Sequence, residues 1–311
     1  MPFLCIQGTF HLVGHNKNGK PTGFEPDGDS IQFKPKKLTL LDQLLRLGVG
    51  PKPTAIQSVN LRLEGIDALE IHYTPTVKAP LHATRTHQPR AMADGSRDAL
   101  TGLLGMNPVP YAQPVNTTVA PPVPVDGVQG YILSRALDVH GRPVSFLFKG
   151  PAPFADGSKV LLNPAVLKKS LNYAMVRDGN AYPLFYDTLF KQLRDELAKA
   201  AKAARAAKKG LWSKNVTKAG FKATGLIDLE NNLIVYPKLF RRLADYFEGG
   251  GAGLAGFIPA QAAISQKNPK KDQVVEPNGN FTHFDNVLNF KAGKLSMKYD
   301  PEDIVFISEK K

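Results

Sequence analysis

Between Ser58 and Glu64 the chain alternates apolar Val59, Leu61 and Leu63 with polar Asn60, Arg62 and Glu64. That period of two belongs to a strand with one buried face. The segment is one of a series. Phe3 to Val13 and Ser30 to Phe33 carry β-branched and aromatic residues on either side of a Gly-, Asn-, Lys- and Pro-rich run, His15 to Gly23, which reads as a turn. Gly130 to Leu137 and Val144 to Phe148 add two more strands, joined as a hairpin across Asp138, His140 and Gly141. Leu38 to Leu47 is apolar at helical spacing but short.

Helical spacing takes over later in the chain. A short helix is expected from Ser96, as N-cap, through Leu100, Leu103 and Leu104, and a second from Pro164 to Asp178. The clearest runs from Thr188 to Lys209, where Leu189, Leu193, Leu197, Ala200 and Ala204 form one stripe. Asp187 is placed to cap it and Gly210 to stop it. Pro237 to Phe247 reads as a further helix with Leu239, Phe240, Leu243 and Phe247 inward. The glycine-rich run 249–256 reads as a flexible link, and residues 280–308 as three short strands with a turn at Ala292-Gly293. Strands early and helices later make this an α+β chain. Residues 73–95 are turn-rich and read as mobile, and the six prolines within 107–125 predict an extended surface loop.

A length of 311 residues favours two domains. We place the first at 1–215, with the proline-rich insertion inside it, and a smaller α+β extension of unassigned role at 216–311. The single cysteine, Cys5, excludes an intrachain disulfide framework and any Cys-based zinc site, and its place on a strand face reads as core packing. Lysine and arginine number 40 against 27 acids, a formal charge of +13 that favours polyanionic partners, nucleic acid first. Seven of those basic residues lie on the 188–209 helix, which is otherwise read as a solvated face. No apolar run approaches the roughly 20 residues of a membrane span. The N-terminus lacks the basic start and long apolar stretch of a signal peptide, so a cytoplasmic location is expected.

Three separated pieces carry chemistry: Asp27-Gly28-Asp29-Ser30 opening a strand, Arg62 through Glu70 where a strand runs into a carboxylate-bearing loop, and the turn Asp138-Val139-His140-Gly141-Arg142. Together they supply acids for a hard divalent cation, a further acid, and two guanidinium groups. Phosphodiester hydrolysis uses that set, because its transition state carries extra charge on a five-coordinate phosphorus. Arginine suits the position better than lysine because its planar fork grips two phosphate oxygens.

In order and type these pieces resemble the staphylococcal-nuclease (thermonuclease) family over roughly Phe3 to Ser213. Asp27 to Ser30 is similar to that family's DGDT, Arg62 to Glu70 to its R-x4-D-x2-E, and Asp138 to Arg142 to its DxxGR hairpin. Leu171 to Gly179 resembles its VNEALVRQGLA helix, and the Lys- and Ala-rich helix ending at Leu211-Trp212 resembles its terminal helix and GLW stop. The resemblance implies a five-stranded OB-type β-barrel with packed helices, and metal-assisted cleavage of DNA or RNA to 3′-phosphate ends. It further implies a calcium ion (Ca2+) held by Asp29, Asp67 and the Ala68 carbonyl, Glu70 acting on the attacking water, and Arg62 and Arg142 clamping the phosphate. Tyr182, Phe185 and Tyr186 fall where the family has base-stacking tyrosines, with aromatic core packing as the equal alternative, and His140 would face a phosphate or base. Single-stranded nucleic acid is the preferred partner on this reading. Ala68-Leu69 departs from the family's Thr-Pro, and Val139-His140 from its Lys-Tyr.

Two other readings stay open: a non-catalytic OB-fold nucleic-acid binder, and an interaction protein whose extension recruits a protein partner. The glycines at 251–256 fit G-x-G-x-x-G but follow a helix, so the dinucleotide context is missing. His82 and His87 lack neighbouring ligands for zinc, and His283 with Asp285 reads as solvated.

Overall fold

Five strands close into a barrel: β1 (Phe3–His11), β2 (Ser30–Pro35), β3 (Val59–Leu63), β4 (Val128–Leu137) and β5 (Pro143–Lys149). Their order around the wall is β1-β2-β3-β5-β4, and β4 pairs back onto β1 to complete the ring. All contacts in the ring are antiparallel except β3 with β5, where Arg62 faces Val144. Closure removes sheet edges, and the alternation read from the sequence holds within β3, where Val59, Leu61 and Leu63 are buried while Asn60 and Arg62 are partly exposed, but not at its flanks, where Ser58 and Glu64 are buried too. Gly8 and Gly130 are register partners across the β1–β4 seam. A Cβ on Gly8 would sit 2.2 Å from the Lys34 carbonyl oxygen, and one on Gly130 2.3 Å from the Phe10 ring. Both strands coil this closely only because neither residue has a side chain.

This computed structural model describes residues 2–76 and 85–308. The chain divides into two units, Met1–Ile66 with Ser96–Met175, and Asp67–Gly95 with Val176–Glu309. The expected mobile stretch is only partly covered, since residues 77–84, His82 among them, lie outside the described residues. No helix among the described residues is long and apolar enough to cross a membrane.

In the first unit the barrel core is built from Phe10, Phe33, Leu61, Ile132 and Phe146, all fully buried. Cys5 lies in the same wall without exposure, and burial, with a contribution from Asp156, pushes its thiol up to about 11. Helix α1 (Arg90–Leu104) begins before the expected Ser96, which is an interior residue instead. Pro89 presets the first turn, and its carbonyl accepts from the Met92 and Ala93 amides. The proline-rich insertion is a loop, as expected, held by Arg97: its guanidinium stacks 3.6 Å from the Tyr111 ring centre and donates to the Asn116 carbonyl at 2.8 Å.

The helix expected over 164–178 is two helices, Pro164–Leu167 and α2 (Leu171–Arg177). Ser170 separates them: its hydroxyl donates back to the Leu167 carbonyl at 2.7 Å and accepts the Tyr173 amide at 3.1 Å, ending one helix and capping the next. Asn172 then points into the barrel wall with no exposure. Its side chain accepts from the Leu147 amide (2.9 Å) and donates to the carbonyls of Glu64 (2.9 Å) and Ser145 (3.0 Å), fixing the end of β3 just before Asp67.

In the second unit, α3 (Lys191–Ala206) starts later than expected. Asp187 does not cap it; its carboxylate accepts the Ser308 amide at 2.9 Å. The basic face of α3 is not simply solvated: Lys202 meets Asp303 at 3.0 Å and Arg205 meets Glu302 at 2.6 Å. Helix α4 (Pro237–Glu248) matches the expected span and buries Leu239, Phe240 and Leu243, whereas Phe247, also expected inward, is partly exposed. A helix at Phe257–Lys267 follows the glycine-rich link. Where three strands were expected, the end of the chain forms a three-stranded sheet (Gln273–Val275, Phe281–His283, Val305–Phe306) and a hairpin (Leu288–Lys291, Lys294–Met297). The hairpin turns at Ala292-Gly293 as read from the sequence.

Replacing Asn172 by Leu keeps the volume but removes the side-chain partner of the buried Leu147 amide and Glu64 carbonyl, and one of the two donors to the Ser145 carbonyl, which keeps the Glu64 amide. We expect Asn172→Leu to lower the unfolding free energy by about 3 kcal/mol or more, read from the midpoint of a urea titration.

Candidate functional site

In the first unit, four of the singled-out residues come together at one end of β2, β3 and β5. The Asp29 carbonyl accepts the Leu63 amide at 2.9 Å, which sets the Asp27–Asp29 turn beside β3. Ser30, the next residue, is the register partner of Arg62. Arg62 lies within the electrostatic reach of both Glu64 and Asp138. The β4–β5 turn then delivers Arg142. Asp138 accepts the backbone amides of His140 and Arg142, each at 2.9 Å, through one oxygen, and takes Arg142 Nε on the other at 2.7 Å. One carboxylate thus folds the turn and aims the guanidinium. Gly141 carries the positive φ of the turn, and His140 stands exposed at its tip.

Burial alone would raise the Asp138 pKa; Arg142, its hydrogen bonds and Arg62 outweigh it, so the group titrates below the usual carboxylate range. Glu64 goes the other way, pushed up by burial despite Arg135 and Arg62.

In the second unit, Asp67, Ala68 and Glu70 sit at the start of a loop that Gln88 closes. The Gln88 amide donates to the Glu70 carbonyl (2.8 Å), its side-chain oxygen accepts the Glu70 amide (3.2 Å), and its Nε2 donates to the Val235 carbonyl (2.8 Å). That last bond ties the loop to the segment leading into α4. From α4, Arg241 reaches the two carboxylates. Its Nη1 and Nη2 donate to the two oxygens of Asp67 at 3.1 and 2.9 Å, and Nη1 also meets Glu70 Oε1. The Asp67 side chain is 2% exposed, that of Glu70 16% and that of Arg241 22%. Burial works to lower the Arg241 pKa, but the two carboxylates hold it well above the ordinary arginine value.

The three α4 neighbours of Arg241 on the same face are also paired. Lys238 and Arg242 meet Asp272 at 2.8 and 2.5 Å, and Asp245 accepts from the Tyr73 hydroxyl at 2.9 Å. Lys238 and Arg242 hold Asp272 far below the usual carboxylate range against the effect of its burial.

The aromatic candidates divide. Tyr182 and Phe185 are fully buried; Tyr182 packs edge-on against Trp212 and Tyr236 and donates to Asn215 at 2.8 Å. They are core residues and have no face to offer a base, so the packing alternative holds for both. Tyr186 is partly exposed beside Phe306.

Sequence reasoning missed Arg241, Gln88 and Asn172. The stripe Lys238, Arg241, Arg242 and Asp245 is visible at helical spacing, but such a stripe reads as a solvated face.

A closed five-strand barrel followed by helices ending at Leu211-Trp212 is the architecture of a staphylococcal-nuclease-like OB fold, a fold of nucleases and nucleic-acid-binding proteins. In agreement with it, residues 155–214 match the family model described as Staphylococcal nuclease homologue. The matched stretch contains Gly179 and Gly210, each at positive φ and each approached by the other's strand of chain: a Cβ on Gly210 would lie 2.2 Å from the Gly179 carbonyl oxygen. The candidate carboxylates and arginines lie outside the match. No curated protein matches the chain.

Asp67 and Glu70 have the hard oxygen donors a calcium ion takes, but calcium asks for six to eight of them. As arranged, both Asp67 oxygens and one Glu70 oxygen are given to Arg241, and the described residues contain no group of three or more His, Cys, Asp or Glu able to hold a metal. This arrangement does not fit calcium.

The depressed Asp138 pKa makes its stabilising effect full above the ordinary carboxylate range and lost as pH falls through its folded value. Asp138→Asn should therefore cost about 1.5–3 kcal/mol at neutral pH. The gap to the wild type should narrow in urea titrations run below about pH 4.

Proposed function

We propose that this protein hydrolyses phosphodiester bonds of nucleic acid, single strands preferentially, leaving 3′-phosphate ends. The observation that carries the reading is the Asp138–Arg142 turn with Arg62 beside it. A buried carboxylate spends its two oxygens on shaping one loop and orienting one guanidinium, with a second arginine in the same field. A planar cation held in this way binds phosphate oxygens without first giving up side-chain freedom. Arg142 and Arg62 would grip the phosphate and stabilise charge that grows as the water attacks. Glu70, its backbone clamped on both sides by Gln88, would take the proton of that water. His140 and Tyr186 are the side chains proposed to contact the nucleotide. The formal charge of +13 attracts the polyanion. Calcium is the cofactor of this proposal only once Arg241 has given up Asp67 and Glu70, since the pair as arranged does not fit it.

Passive binding of nucleic acid is the second reading, and the salt link of Arg241 with both carboxylates favours it. One assay separates the two. A labelled single-stranded DNA is incubated with the protein in calcium and in excess chelator, and the product ends are analysed. The hydrolytic reading expects 3′-phosphate fragments in calcium alone, and a loss of roughly 10²-fold or more in rate for Glu70→Gln. Binding without cleavage in either buffer would select the passive module. A Glu70→Gln protein cutting at the wild-type rate would remove the role given to Glu70.

A further inference from the structure

We infer that Arg241 is the resident counter-cation of the Asp67–Glu70 pair, and that a divalent cation reaches these carboxylates only by displacing it. The inference rests on the functional reading above for the importance of the two carboxylates, and on the geometry of the second unit for the competition. The guanidinium is not a loose surface charge near an acid. It meets Asp67 with two parallel N–H···O bonds and Glu70 with a third contact, all from a side chain about one-fifth exposed. Planar fork against planar carboxylate is the strong form of this pairing.

Charge balance makes the two cations alternatives. Two carboxylates against one guanidinium leave a single negative charge, and against one calcium ion they leave none. With both cations present, these two carboxylates, the guanidinium and the calcium ion would sum to a positive charge, where Asp67 is almost wholly shielded from water. Like charges at a few ångströms repel far more strongly there than in bulk solvent. The donors tell the same story: each Asp67 oxygen that accepts from Arg241 has lost the direction in which the fork lies, and calcium needs most of its ligands from hard oxygens.

Arg241 is also delivered by a helix with its own anchors. Lys238 and Arg242 are tied to Asp272, and Asp245 takes the Tyr73 hydroxyl and both the hydroxyl and the amide of Thr76. None of these bonds uses Asp67 or Glu70. The cation is therefore presented by residues 237–248, a part of the chain outside the family match, to carboxylates that the motif reading assigned to metal and base. Segment and metal compete for one pair of acids.

The test is calcium binding itself, measured by titration calorimetry with calcium chloride on the full chain, alongside circular dichroism to establish folding. Arg241→Gln should bind calcium about ten-fold or more tightly than the wild type, because the competing charge is gone. Arg241→Lys keeps the charge but cannot span both carboxylates, and should show a smaller gain in the same direction. Adding Asp67→Asn to Arg241→Gln should abolish the gain. Equal or weaker calcium binding by folded Arg241→Gln overturns the inference, as does the absence of calcium binding in both proteins. If Arg241→Gln does not fold, an unchanged affinity in Arg241→Lys overturns it. Tighter binding without cleavage of single-stranded DNA by any variant would leave the inference standing and remove the hydrolytic reading. Cleavage by the wild type with calcium affinity unmoved by Arg241→Gln would do the reverse.

Discussion

A carboxylate taken out of water must be met by a cation or by several N–H donors, and this requirement organises both units. In the first, Asp138 is satisfied by two backbone amides and the Arg142 guanidinium, and the β4–β5 turn takes its shape from that satisfaction. In the second, Asp67 is satisfied by Arg241 and Asp272 by Lys238 and Arg242, while the wholly buried Glu302, which faces Arg205 at 2.6 Å, is pushed up in pKa by its burial. The same physics that lets these acids be buried also decides which arginines are held rigid. Arg142 and Arg241 are built alike here, each held by a shielded aspartate, and they differ in which carboxylates they are paired with.

In the first unit the closed barrel is the frame that carries the Asp138–Arg142 turn. Its closure depends on close approaches that only glycine allows at Gly8 and Gly130, and on one polar side chain, Asn172, that joins β3, β5 and a helix. Asn172 holds the Glu64 carbonyl, which pins the chain just past the end of β3. Gln88 repeats the device a few residues later, holding Glu70 by its backbone so that the carboxylate alone is left to interact. Neutral amide side chains with every bond made are well suited to this, since they add direction without adding charge.

Much of this was legible in order along the chain. The strand around Arg62, the Asp138–Arg142 turn and the apolar face of α4 were readable because each depends on neighbours a few residues away; the stop expected at Gly210 was not, since α3 ends at Ala206 and Lys208 takes the left-handed conformation. The helix starts were not. Pro89 rather than Ser96 opens α1, Ser170 divides one expected helix in two, and Asp187 serves a distant amide at Ser308 instead of the nearby helix. In each case two local signals competed and a tertiary contact or a side-chain bond chose between them. Tyr182 and Phe185 illustrate the same limit: an aromatic that packs and one that stacks on a base have the same local sequence, and only burial separates them.

By itself the sequence determined the residue types and their order: short alternating strands, helices after them, and a set of acids and arginines suited to phosphate chemistry, with closure into a barrel implied only by the family resemblance. These follow from periodicity and spacing, which act within a few residues. Tertiary structure alone decided which cation answers which carboxylate. Arg241 lies more than 170 residues from Asp67 and Glu70, a separation of 174 and 171. No local pattern carries information over that distance, because the pairing exists only once helix α4 has buried its apolar face and turned its charged stripe toward the two acids.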